Sequence, residues 1–215
     1  RVASDKDKQY ITKYASLILR DLNSLQRQAV DNLLDLIIRH NVPTAEFMPW
    51  VSQIIEKADG YLKNLILHRS YFIFKDREQA EKNQVINILA QSLDGIVNSN
   101  VLDMFDFLVH NALNWNLPSD DLDKIRKKLL EIIKDIPSIG YHTDDLLKFA
   151  LNGDLNKFIE LVEYRLKKQS EYFKNRGAEK FDAIPFDGFR SATELIKNYD
   201  DFAKLMDKIN FWRNE

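Results

Sequence analysis

The feature that most constrains this chain is the period of its apolar residues. Leu33, Leu36 and Ile37 recur at spacings of three and four, as do Val85, Ile88 and Leu89, and Leu122, Ile125, Leu129, Ile132 and Ile133. That is the repeat of a helix with one buried face. No block of alternating apolar and polar residues reads as a strand. The stripes end at residues with a physical reason to stop a helix. Pro43 biases Val42 away from the helical region, and Pro118 and Pro137 close later segments in the same way. The chain is therefore expected to be all-α. Stacked antiparallel helix pairs in an irregular HEAT-like α-solenoid are the leading arrangement, and a compact irregular helical bundle is the alternative. Leu33 to Ile38 runs into Pro43 and Leu129 to Ile133 into Pro137, but the interval between such stops is not constant. No strict repeat period is visible.

Local signals place the segments. Ser4 is expected to cap a first helix carrying Ile11, Ala15, Ile18, Leu19 and Leu22, and Asn23 or Ser24 the next. Thr44 opens a third. At Asp59-Gly60 the helix either bends or restarts. Asn100 precedes a segment, Val101 to Leu113, that is apolar almost all round and so expected to be central. Ser119-Asp120-Asp121 opens another helix, Thr143 a short one, and Asn152-Gly153-Asp154 reads as a stop and restart. Ser191 to Glu194 matches a capping box, and Asp200 or Asp201 is expected to cap a last helix. Residues 1–174 are expected to form a helical-repeat-like region, and 175–215 a loop strap with C-terminal helices that packs on it, in one continuous domain.

Composition removes several functions. The 215 residues include no cysteine, so disulfides, thiolate metal sites and a cysteine nucleophile are out. That fits a reducing cytoplasm. A net charge of −2 gives no overall attraction to nucleic acid or to an anionic membrane. No apolar run approaches the roughly 18 residues of a membrane span. Six glycines include no phosphate loop or dinucleotide fingerprint. Residue 1 is Arg rather than Met, so the chain is expected to be cut from something longer.

The four histidines, His40, His68, His110 and His142, are far apart and form no metal-binding pair. His142-Thr143-Asp144-Asp145 superficially resembles the His-Asp pairing of metal phosphohydrolases, but a helix cap accounts for it. Asp120-Asp121, Asp144-Asp145 and Asp200-Asp201 all fall at expected helix starts, where carboxylates oppose the helix dipole. No catalytic residue, metal site or cofactor is assigned.

Two segments stand out as binding candidates. Arg165, Lys167, Lys168, Lys174, Arg176 and Lys180 form the most basic stretch, interleaved with Tyr164, Tyr172 and Phe173. It could contact phosphates while the rings stack on bases; at a net charge of −2 the solvated face and frayed end of one long helix is the leading reading. The segment 181–189 sets Phe181, Ile184, Pro185, Phe186 and Phe189 in an irregular stretch. Such side chains either strap back over helix ends or dock a partner. Trp50, Trp115 and Trp212 stand near helix ends, where core-edge packing competes with an interface role.

Three pieces carry a resemblance: Ala150-Leu151-Asn152-Gly153-Asp154, the run Ile159 to Arg165, and Phe181 to Phe186. With them the run from Leu146 to Ile209 resembles the tail of large bacterial P-loop NTPases of the STAND/NACHT-like kind, and the whole chain resembles their HEAT-like C-terminal regions. The resemblance implies a sensor or scaffold beside an ATPase core, in some cases in anti-phage defence, and carries no functional residue over. The expected function is a non-catalytic interaction or sensor module of a larger cytoplasmic protein. Its partner would be another protein or an adjacent domain, with no membrane involved. A nucleic-acid-binding domain using 165–180 and an all-α enzyme with a site assembled only in space are the alternatives.

Overall fold

A computed structural model of the chain describes residues 4–24, 26–95, 102–137, 144–176, 181–184 and 191–213. Among these residues every regular element is helical, so the fold is all-α. Local chemistry explains most boundaries. The Ser4 hydroxyl accepts from the Asp7 amide at 3.2 Å, and the Asp7 carboxylate accepts from the Ser4 amide at 3.1 Å. This reciprocal cap starts α1 (Asp5–Leu19). Helix α2 (Arg27–Arg39) begins later than its sequence signals suggest. Leu22–Ser24 forms a single 3-10 turn, and Gln26 stands at the N-cap without a side-chain bond. Asn41, in the left-handed region at φ 45°, and then Pro43 end it.

Helix α3 (Thr44–Lys57) is separate from α4 (Gly60–Phe74): Asp59 accepts from the Leu62 amide at 2.8 Å and starts a new helix. Short α5 (Gln79–Lys82) and α6 (Val85–Ser92) follow. Helix α7 (Leu102–Ala112) runs into a 3-10 turn that stops at Asn116, φ 51°. Helix α8 is Ser119–Asp135 and α9 is Asp144–Leu151. Asn152 and Gly153 both take positive φ, and Asp154 caps α10 (Leu155–Arg176) through the Asn156 amide at 3.0 Å. Ser191–Leu195 is a 3-10 turn rather than the start of an α-helix, and Asn198, not Asp200 or Asp201, accepts from the first turn of α11 (Tyr199–Arg213). Asn100 and Thr143 lie outside the described residues.

The chain divides into two compact units, 1–96 with 103–122, and 97–102 with 123–215. In the first unit α2 lies against α1 and α4, α3 against α1 and α6, and α4 against α6. Phe47 and Phe74, both fully buried, meet at its centre with ring centroids 5.9 Å apart. Helix α7 buries Phe105, Leu108 and Ala112. In the second unit α10 packs on α11 and α9. Its core gathers Ile133, Leu147, Phe158, Val162 and Leu205, with Ala183 brought in from the irregular segment. Each of the larger side chains among them contributes roughly 1.5–3 kcal/mol by leaving water.

Each unit also holds a buried arginine. Arg77, 9% exposed, donates to the main-chain oxygens of Ile73 at 2.9 Å and Val42 at 2.7 Å. It also reaches Thr44 Oγ1 at 3.2 Å and Glu81 Oε1 at 3.0 Å, and its guanidinium stands 5.3 Å from the centre of the Phe47 ring. The Thr44 hydroxyl, which donates to Glu81 at 2.5 Å, and secondarily Arg77 hold the Glu81 carboxyl below its ordinary 4.5, against the opposing effect of burial. A carboxyl depressed in the folded state stabilises above its unfolded pKa, and that contribution is lost as pH falls through the folded value. Urea midpoints are therefore expected to drop on acidification below about pH 4.5. Glu81→Gln, which keeps an acceptor but cannot titrate there, should flatten that acid limb. An unchanged limb would mean Glu81 is not coupled to folding.

Candidate functional site

The two segments singled out in the sequence meet inside the second unit. Arg165 occupies a position in the α10 stripe, beside Val162 and Leu166, and is 0% exposed. Its Nε donates to Ala183 O at 2.9 Å, Nη1 to Ile133 O at 2.5 Å and Ile136 O at 2.8 Å, and Nη2 to Asp182 O. The guanidinium thus joins the C-terminal carbonyls of α8, which carry partial negative charge, to the strand of chain at 181–184. It also stands 4.7 Å from the centre of the Phe181 ring. Burial pushes its pKa down to about 10, partly offset by Asp182 and Asp135, so it stays charged at neutral pH. Gln169, one turn on, donates to Phe181 O at 2.9 Å. The Asp182 amide donates to Pro137 O, also at 2.9 Å.

These bonds give Phe181 a buried place and leave Ile184 half-buried against the core. Pro185, Phe186 and Phe189 lie outside the described residues, as does Lys180. Lys174 and Arg176 fall in the last turn of α10. Lys167 is exposed. Lys168 is paired with Asp135, which also accepts from the Tyr164 hydroxyl at 3.1 Å. Burial pushes the Asp135 carboxyl up, but bonds from Lys168 and Tyr164 outweigh it and leave it below its usual value. Two of the six cations are therefore engaged within the chain, Arg165 wholly so. A phosphate backbone would meet a smaller basic surface than the spacing suggests.

Among the described residues the histidines stand in separate surroundings. His40 Nδ1 lies 3.6 Å from Asp7, while His68 packs edge-on to Phe72 at 5.2 Å. His110 is exposed on α7, and His142 lies outside the described residues. Asp120-Asp121 and Asp200-Asp201 sit in first turns of helices, and Asp144-Asp145 opens α9. Among the described residues no group of three acidic or imidazole side chains could hold a metal ion. No helix among them is long and apolar enough to cross a membrane. Trp115 is 9% exposed, its ring 6.0 Å from that of Tyr71 and nearly parallel to it. Trp50 is half-buried.

A cleft of about 560 Å³ opens between the ends of α3 and α6 in the first unit, lined by Ile55, Glu56, Ala58, Lys63, Gln91 and Asp94 among others. Buried Lys63 donates there to Asp94 O, near the end of α6. Gln91 Oε1 is buried without a hydrogen-bond partner among the described residues. The cleft is roomy enough for ordered water to satisfy it.

Exposed apolar side chains occur on several helices: Tyr61 and Phe72 on α4, Tyr164 on α10, Phe202 on α11, and two on α1. On α1, Ile11 and Ala15 face the core, but Tyr10 is 60% and Leu17 53% exposed. The Tyr10 and Tyr14 rings lie 6.4 Å apart and 15° from parallel along the helix. Tyr14, Leu17 and Ile18 line one side of a cavity of about 220 Å³; Asp21, Ser24, Gln26 and Ala29 complete it. The helix thus carries two apolar stripes, and the first unit covers one. Positions 10, 14 and 17 stand one residue before 11, 15 and 18, so the second stripe was readable as a widening of the first.

The chain matches no family model, no curated protein and no solved structure.

Proposed function

We propose that this chain is a non-catalytic helical interaction module that binds another protein through the uncovered apolar face of α1. The observation that carries the reading is the stripe of Tyr10, Tyr14 and Leu17 beside its cavity. Contiguous exposed apolar surface of this kind marks interaction sites, whereas scattered apolar residues do not. The packing of α1 on α3 and α2 on α4 supports a HEAT-like stack in the first unit. A sensor or scaffold role within a larger protein is the form this reading takes when joined to the resemblance of Leu146 to Ile209.

A photoreactive amino acid at Leu17 tests it in extract of the source cells. A discrete adduct, identified by mass spectrometry, is expected at Leu17 and not at the exposed control position Lys127, and Tyr10→Asp should abolish it. Equal adducts from both positions, or none from Leu17, would overturn the reading.

A further inference from the structure

Lys6, Lys13 and Arg20 are all exposed and recur every seven residues along α1 and its C-cap. Lys6 precedes Tyr10 by four positions, Lys13 follows Tyr10 by three and precedes Leu17 by four, and Arg20 follows Leu17 by three. Side chains at these spacings are neighbours on a helix surface. The uncovered stripe is therefore bordered along its length by a row of cations. Arg27, at the start of α2 next to the cavity residue Gln26, adds a fourth exposed cation, its guanidinium 4.1 Å from the centre of the exposed Tyr61 ring. Acids stand on the other side of the stripe, Asp7 three positions before Tyr10 and Asp21 four after Leu17. Asp21 lines the cavity, Asp5 opens the helix, and Asp7 is held by Ser4 and His40.

Resting on the α1 docking reading, we infer that the partner is an acidic amphipathic helix of a second protein, with one large apolar side chain seated in the cavity of about 220 Å³. A helix laid in a groove places anchors at three- and four-residue spacings, which matches the spacing of Tyr10, Tyr14 and Leu17. Its flanking carboxylates would face Lys6, Lys13 and Arg20, while the anchor beside Leu17, Ile18 and Ala29 would supply most of the affinity. A second copy of this chain fits less well. In an antiparallel two-fold contact through α1 the two cation rows lie on the same side and repel; a parallel contact sets them on opposite sides, and the test reads it as a dimer.

The test uses the full 215-residue chain and a phage library of helix-forming peptides with random apolar and flanking positions. Selected peptides are expected to carry Leu, Phe, Trp or Met at helical spacing with an excess of Asp and Glu beside them. Leu17→Asp should weaken binding about thirtyfold, the effect of losing one hot spot. The triple change Lys6→Glu, Lys13→Glu and Arg20→Glu should weaken it about tenfold or more, with an unchanged thermal midpoint as the fold control. Peptides without acid excess that lose binding in Leu17→Asp, or a dimer dissolved by that variant, would overturn the acidic partner and leave the docking reading standing. Peptides indifferent to Leu17→Asp, or no peptides at all, would overturn both.

Discussion

Replacing Arg165 with Ala is expected to destabilise the second unit by about 4 kcal/mol or more. The substitution removes the donors that serve Ile133, Ile136, Asp182 and Ala183 carbonyls and opens a cavity under Phe181. Each buried acceptor left bare costs about 1–3 kcal/mol. The chain can recover part of this by letting 181–184 lift into water, so the change should be local before it is global. Arg165→Met tests whether charge or donors matter. Methionine fills space and abolishes the desolvation that pushes this guanidinium down to about 10, yet it satisfies no carbonyl. It should remain markedly destabilising, and Arg165→Lys should fall between, because an ammonium lacks the planar fork. Urea unfolding gives the magnitude. Hydrogen exchange of the Asp182 amide, which donates to Pro137 O, reports the local release. Full protection of that amide in Arg165→Ala would refute the clamp.

Arg77→Ala is expected to cost the first unit about 3 kcal/mol. Here the acceptors include a carboxylate, Glu81, whose side chain is 36% exposed, so water screens part of the charge. The buried share of the cost lies with Val42 O, just before Pro43, with Ile73 O and Thr44 Oγ1, and with the Phe47 ring beneath the guanidinium. The double variant Arg77→Ala/Glu81→Ala separates the contributions. Groups sharing one network couple by about 0.5–3 kcal/mol, so the double variant should be less destabilised than the sum of the single variants. Strict additivity would mean that the Arg77–Glu81 pair contributes nothing and that Val42, Ile73, Thr44 and Phe47 account for the whole effect.

What was legible in the sequence was local. Ser4 with Asp7, Asp59 before Gly60, and Asn152-Gly153-Asp154 mark helix ends because their partners lie within four residues. The start of α2 departs from its sequence signals because Asn23 and Ser24, good caps in isolation, both fall within a 3-10 turn. The capping-box pattern at Ser191 to Glu194 gave another 3-10 turn, and there Glu194 pairs with Lys148 at 2.7 Å instead of closing an α-helix. The arginine clamps left almost no trace. Arg165 reaches carbonyls 18 and 32 residues away, and carbonyls carry no side-chain signature. One clue existed: a charged residue stands in the apolar register of Phe158, Val162 and Leu166. Counting it with Lys167 and Lys168 as a surface cation ignored that register. The α1 stripe was missed because one buried face was enough to explain the helix.

The Arg165 clamp also bears on how long the second unit stays closed. Its bonds span three separate stretches of chain: the end of α8, the middle of α10 and 181–184. They can form only once all three have docked, so they are expected to be absent at the folding barrier, which unfolding rates of Arg165→Lys would report. Interactions that are absent at the folding barrier leave the folding rate nearly untouched and act on unfolding. The buried cation is then a latch on the native lifetime, setting how rarely 181–184 opens rather than how quickly the unit assembles.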